Sequence, residues 1–208
     1  KAVRQEHQPA MPWATIPSFV ETELAGAGAF DATRNALLFL ILNGSRSGEV
    51  RGMTWGEVNL RAKLWTIPAA RMKAKVAHRV PLSLQAIELL ERQAGQHDEL
   101  VFPSVQARTV MSDMTLTALL RRAKAPSDTP GRVATVHGFR SSFRDWCSER
   151  GYARDLAERA LAHTIKDKVE AAYHRTDLFE QRRPMMQAWA DFVHPPANRP
   201  QKDPSHDV

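Results

Sequence analysis

The chain has 208 residues, enough for one domain with a sizeable core. Its 43% apolar and 25% charged residues exclude wholesale disorder, and its longest apolar run, Ala36–Leu42, falls far short of the ~18 residues of a membrane span. Lys and Arg number 29 against 23 acids, and they cluster: Arg61–Arg79 holds six basic residues and no acid, and Arg121–Arg154 holds eight basic residues and three acids. Such clustering is expected for a polyanion partner, although solvated loops and helix faces explain it equally well.

A single cysteine, Cys147, excludes an internal disulfide framework and a cysteine-based zinc site. No secretory signal is expected, since the first residues are charged and polar, and a reducing cytoplasm fits best.

In chain order, residues 1–17 carry Pro9, Pro12 and Pro17 with little periodicity and read as a linker or extended arm. Ile16–Leu24 reads as a short helix with Ser18 as its N-cap. Asp31 is placed to cap a helix to about Leu42 that is apolar on most sides, hence buried, and Asn43-Gly44 ends it. After a tight Ser45-Arg46 turn, Ser47 is placed to cap a short helix through Met53. Val58–Leu60, Leu64–Ile67 and Arg79–Leu82 are short strand candidates; the last two read as antiparallel partners joined near the basic stretch Arg71–Lys75.

The remainder reads as helical. Ser83, Ser112 and Thr135 are expected caps of helices reaching about Gln93, Lys124 and Arg150. Further helices cover roughly Arg154–Leu161, Lys166–Ala172 and Asp177–Phe192, the last interrupted at Pro184. Residues 195–208, with four prolines, read as a disordered tail.

The chemistry concentrates late in the chain. Phe139, Phe143 and Trp146 follow core spacing on one helix, and His137, Arg140 and Arg144 fall on a separate face of it. An imidazole and a guanidinium at a helix N-terminus suit a phosphate oxygen pair. An exposed basic helix face is the plain alternative. His163 and Tyr173 follow within the same stretch, and Gly44–Glu49 sets Arg46 on a tight turn before a helix.

Taken in order, Arg46, Lys73, His137-x-x-Arg140, His163 and Tyr173 resemble the tyrosine recombinase (phage integrase) family over about residues 8–193. The wording Trp65-Thr-Ile-Pro, Arg71-Met-Lys, His78-Arg-Val-Pro-Leu-Ser83, Thr135-Val-His-Gly-Phe-Arg140 and Leu161-Ala-His163 looks like the branch carried by prophages and genomic islands. Two positions depart from the common pattern. Residue 43 is Asn where many members have Thr, and Leu-Ala-His stands for the commoner Leu-Gly-His. Lys75 competes with Lys73 for the lysine role; Lys73 is preferred because it lies eight residues before Pro81, as the family lysine does.

The resemblance implies the tyrosine recombinase catalytic-domain fold, mainly α with a small antiparallel three-stranded sheet. It places the catalytic domain at residues 18–194, with residues 1–17 leading from an N-terminal core-binding domain. It also implies strand cleavage and rejoining with no cofactor and no metal. Tyr173 would attack the scissile phosphate, and Arg46, Arg140 and His163 would hold its oxygens. His137 would act as base or relay and Lys73 as general acid, with Glu49 bracing the arginine or the lysine.

Arg71, Lys75, Arg79, Arg121, Arg122, Lys124, Arg132 and Arg144 are candidates for phosphate contacts. Expected partners are double-stranded DNA attachment sites, further copies of the chain in a synaptic tetramer, and an excisionase or host DNA-bending protein, with no membrane. The expected location is the bacterial cytoplasm, on the nucleoid. Met185, Met186, Trp189 and Phe192 on the terminal helix suit either local core or, as is common in the family, docking on a neighbouring protomer. The competing readings are a recombinase-derived DNA-binding regulator with idle chemistry and a metal nuclease built on His137, His163 and Asp167.

Overall fold

The computed structural model describes residues 8–104, 106, 108–163 and 176–196. The order of elements is α1 (Ile16–Glu23), α2 (Ala32–Asn43), α3 (Ser47–Arg51), β1 (Val58–Asn59), β2 (Leu64–Ile67), β3 (His78–Pro81), α4 (Leu84–Gln93), α5 (Thr115–Arg122), α6 (Gly138–Glu149), α7 (Arg154–Ala160) and α8 (Phe179–Val193). The strands form one antiparallel sheet in the order β1-β2-β3. The fold is thus mainly α with a small three-stranded sheet, as expected.

α2 is the centre of the molecule. Asp31 caps it by accepting from the Arg34 N–H, and Gly44 closes it in the left-handed region at φ 59°. Residues 36–42 are almost fully buried, so the seven-residue apolar run is buried on every side, with α3, α4, α5 and α8 around it. The sheet joins this core through one face: Trp65 and Ile67 of β2 are buried, and Trp65 meets Phe39 edge-on at 5.5 Å. A second aromatic cluster ties α6 to α8, with Phe143 and Trp146 against Trp189 at 5.4 and 5.1 Å. Met185, Met186 and Trp189 of α8 therefore belong to the chain's own core.

Several local readings need correction. α1 starts at Ile16, with Pro17 pre-set for the first turn, so Ser18 lies inside the helix. Arg46, not Ser47, is the N-cap of α3, because the Glu49 carboxylate accepts from the Arg46 N–H at 2.8 Å and does the capping. α5 begins at Thr115, three residues after Ser112. α8 runs unbroken through Pro184, whose missing N–H would have bonded the carbonyl of exposed Glu180 in the first turn. The N-cap position of α6 is His137, not Thr135, whose hydroxyl two residues earlier accepts from the Gly138 N–H at 3.0 Å.

The expected arm also differs. Residues 8–17 pack onto the domain: Ala10, Met11 and Ile16 are buried, Ala10 and Asp128 exchange hydrogen bonds, and the Pro9 carbonyl accepts from Thr135. Apolar side chains at Met11 and Ile16 outweigh the proline content that suggested a free segment. The expected helix Lys166–Ala172 lies outside the described residues, as do most of the expected tail and Asp167.

Candidate active site

Three chain regions converge on one basic site. The first is the turn after α2. Gly44 turns the chain back with its Cα against Leu161 and Phe143, where a Cβ would lie 3.3 Å from Leu161 Cδ2. Arg46 follows with its guanidinium fixed on both sides. Nη1 donates to Glu49 Oε1 at 2.8 Å, and Nη2 donates to the Ala162 carbonyl at 3.3 Å. Glu49 is buried, so one carboxylate both caps α3 and aims Arg46.

The second region is the start of α6. Arg140 is only 3% exposed, so the plain alternative of an exposed basic helix face does not hold for it. Its Nη1 donates to the Gly44 carbonyl at 2.6 Å and its Nη2 to the Leu161 carbonyl at 2.5 Å. These bonds join the turn after α2, the start of α6 and the end of α7. Nε of Arg140 is buried without a hydrogen-bond partner. His137, one turn before Arg140, is exposed at the helix N-terminus.

The third region follows α7. Ala162 sits at φ 47°, a left-handed conformation that favours glycine, and it does so where the commoner family wording has Gly. This turn offers the Leu161 and Ala162 carbonyls to the two arginines and places His163, whose Nδ1 bonds the Glu158 carboxylate.

These groups also act on one another electrostatically. Although His137 reaches the surface, partial desolvation of its ring holds the imidazole below its ordinary value, and Arg140, Arg46 and His163 press in the same direction. His163 is likewise lowered by burial and by the two arginines, against the opposing pull of Glu158. Burial lowers Arg140 to about 10, assisted by Arg46 and opposed by Glu49 and Glu158, so it remains charged at neutral pH. Two fixed cations and two neutral imidazoles form a site suited to an oxyanion with a proton to move. Among the described residues, no three His, Cys, Asp or Glu side chains converge as a metal-ligand set.

Lys73 and Lys75 are exposed on the β2–β3 connection, Lys75 with φ 56°. Arg121, Arg122, Lys124, Arg132 and Arg144 are exposed, Arg144 lying 3.7 Å from the Asp145 carboxylate. Arg79 forms a two-pronged pair with Asp177 at 2.8 and 2.7 Å. Arg71 departs from the expected phosphate role: its guanidinium turns inward onto the Glu57 carboxylate and the carbonyls of Gly48 and Glu49. Tyr173 lies outside the described residues.

Residues 24–178 match the phage integrase family. The chain belongs to that family. It is 36% identical over 193 residues to prophage integrase IntA of Escherichia coli K12, covering 91% of this chain and 45% of that protein. The chain thus spans about half the length of the curated relatives it matches. The integrase from mycobacterium phage Brujita is similar at TM-score 0.63 and 17% identity, covering 96% of this chain and 63% of that one. A lambda integrase dimer bound to a COC′ core site is similar at TM-score 0.57 and 20% identity, covering 85% and 62%. Both likenesses establish the fold.

In this phage integrase family member, the structure brings together Arg46, His137, Arg140, His163 and Glu49, which order and spacing had singled out. Glu158 and His78, which lie beside them, were not singled out. Glu158 lies five residues before His163, a spacing that only the turn at Ala162 folds back into contact. Burial holds His78 neutral, helped by Arg182 and Arg140 and opposed by Glu49 and by a hydrogen bond to the Ala160 backbone. Its place at the start of a strand carried no signal of its own.

Proposed function

We propose that the chain is the catalytic part of a site-specific DNA recombinase that integrates or excises a prophage or genomic island through a 3′-phosphotyrosyl intermediate. The observation that carries this reading is the meeting of Arg46, His137, Arg140 and His163 at one site, in a chain of the phage integrase family. Likeness to lambda integrase bound as a dimer to a core site supports duplex DNA and a second copy of the chain as partners. The proposed tetramer, excisionase and host bending protein extend that reading. Work on the nucleoid in the bacterial cytoplasm agrees with a described structure in which no helix is long and apolar enough to cross a membrane.

In the proposed reaction, the Tyr173 phenol oxygen bonds the scissile phosphorus and its proton passes to His137. A free phenol titrates near ~10 and needs such help, which a neutral imidazole provides. Arg46, Arg140 and His163 donate to the non-bridging oxygens as charge builds on them, and the loss of one such preorganised donor typically costs about 3 kcal/mol of barrier. The bond to the 5′-oxygen breaks, and that oxygen takes a proton from Lys73. Attack by another strand's 5′-hydroxyl reverses each transfer and releases the tyrosine. The phosphodiester energy stays in the covalent link, so the cycle requires no high-energy cofactor.

Incubation with fragmented genomic DNA, followed by denaturing recovery of protein-linked strands, tests this. Strands joined at their 3′ ends to Tyr173 are expected, with recurrent end sequences that define the cleavage site, and none with Tyr173→Phe. DNA binding without any adduct, from wild-type protein and from the variant alike, would instead identify a regulator with idle chemistry.

A further inference from the structure

Arg71 has its side chain turned away from solvent, and its partners join two parts of the site. Its Nη1 donates to both carboxylate oxygens of Glu57, and its Nη2 donates to the Glu49 and Gly48 carbonyls. The Glu57 carboxylate is itself fixed, since Oε2 also accepts from the Trp65 indole N–H at 2.9 Å. Space for the guanidinium exists because residue 52 is Gly: a Cβ there would lie 3.0 Å from Arg71 Nη2 and 3.5 Å from Cζ. The next residue, Met72, is 3% exposed and inserted in the core. Lys73 follows directly, exposed, on a tight turn in which the Lys75 N–H donates to the Met72 carbonyl at 3.1 Å.

Glu49 is the common anchor. Its carboxylate holds Arg46, and its carbonyl holds Arg71. The turn that bears Arg46 and the connection that bears Lys73 are therefore fastened to one buried residue. We propose that Arg71 is a positioning residue that sets Lys73 against Arg46, so that the proton donor and the phosphate clamp keep a fixed separation. A forked, permanently charged guanidinium suits this task, because it spans a carboxylate and two carbonyls that a lysine ammonium cannot reach together. The proposal rests on the reading of Lys73 as general acid.

The experiment compares single-turnover adduct formation on the duplex site defined by strand recovery, with either the ordinary 5′-oxygen or sulfur at the bridging position. A thiolate leaves without an acid, so a defect confined to Lys73 disappears on the sulfur substrate. Lys73→Ala should lose at least about tenfold on oxygen and recover on sulfur. Arg71→Ala should show the same pattern, and Arg71→Lys and Glu57→Gln a weaker form of it.

An Arg71→Ala defect of equal size on both substrates would overturn the proposal, as would no defect at all. A DNA-binding salt slope lowered by about one in Arg71→Ala would mark a phosphate contact and also overturn it. If Arg71→Ala does not fold, Arg71→Lys and Glu57→Gln decide by the same oxygen-to-sulfur comparison. Failure of Lys73→Ala itself to recover would reject the general-acid reading, whereas recovery of Lys73→Ala without recovery of the Arg71 variants would reject only the role of Arg71.

Discussion

Arg46 and Arg140 carry the same functional group but are held in different ways. The Arg140 guanidinium is buried and bonds two main-chain carbonyls from different parts of the chain, whereas the Arg46 side chain remains 30% exposed beside a carboxylate. Arg140→Ala would leave the Gly44 and Leu161 carbonyls without their donors and open a cavity, at a cost of about 3 kcal/mol or more. Arg46→Ala keeps the N–H that Glu49 accepts and should cost about 1 kcal/mol. Both substitutions should lower adduct formation by about 10²–10³-fold. Thermal melting should separate them, with Tm falling by roughly 6–12 °C for Arg140→Ala and less than about 4 °C for Arg46→Ala. Equal melting losses would show that Arg140 does not join these elements. That both arginines belong together was legible in the sequence, because residue type and order carry it. That one of them is structural as well was not, since its acceptors are backbone atoms, which every residue possesses.

At the scale of elements, the sheet is fastened to the site through His78. This first residue of β3 bonds the Ala160 backbone at the end of α7, immediately before the turn that supplies the Leu161 and Ala162 carbonyls and His163. Burial, with help from Arg182 and Arg140 and against Glu49, lowers its pKa to about 4. An unfolded histidine titrates near ~6.5, so between the two values the unfolded chain binds more protons than the folded one. The stability from neutral His78 is therefore complete above about pH 6.5 and is lost as pH falls towards 4, by ~3 kcal/mol in all. His137, His163 and His194 shift in the same direction, so the informative quantity is a difference. Urea unfolding at several pH values should show a shallower loss below pH 6.5 for His78→Gln than for wild type, and parallel curves would refute the assignment. The three strands and the caps at Asp31 and Ser83 were legible because alternation and capping are local signals. The start of α3 was misread because its cap comes from a carboxylate three residues inside the helix.

The whole molecule depends on a contact between its first described residues and the helix that presents His137 and Arg140. The Pro9 carbonyl accepts from the Thr135 N–H at 2.9 Å and from its hydroxyl at 3.1 Å, Met11 is fully buried, and Ser142 on α6 donates to the Met11 carbonyl. Only glycine fits beneath this segment: a Cβ on Gly138 would lie 2.2 Å from the Pro9 oxygen and 2.8 Å from the Ala10 Cα. The obstruction is backbone, so no change of rotamer relieves it. Gly138→Ala has two opposed effects, a gain of up to about 1 kcal/mol in helix propensity and an overpacking cost of about 1–3 kcal/mol. Because α6 starts at Gly138, the propensity gain is at its smallest there and the clash should prevail. Tm should fall by several degrees, and limited proteolysis should speed up around residues 8–12 as the segment lifts. Adduct formation should fall as well, since Thr135 then loses the partners that fix the turn before His137. A Gly138→Ala protein with unchanged Tm and unchanged protection of residues 8–12 would mean that the segment does not lie across α6 in solution, and that the start of this helix is held by the core alone.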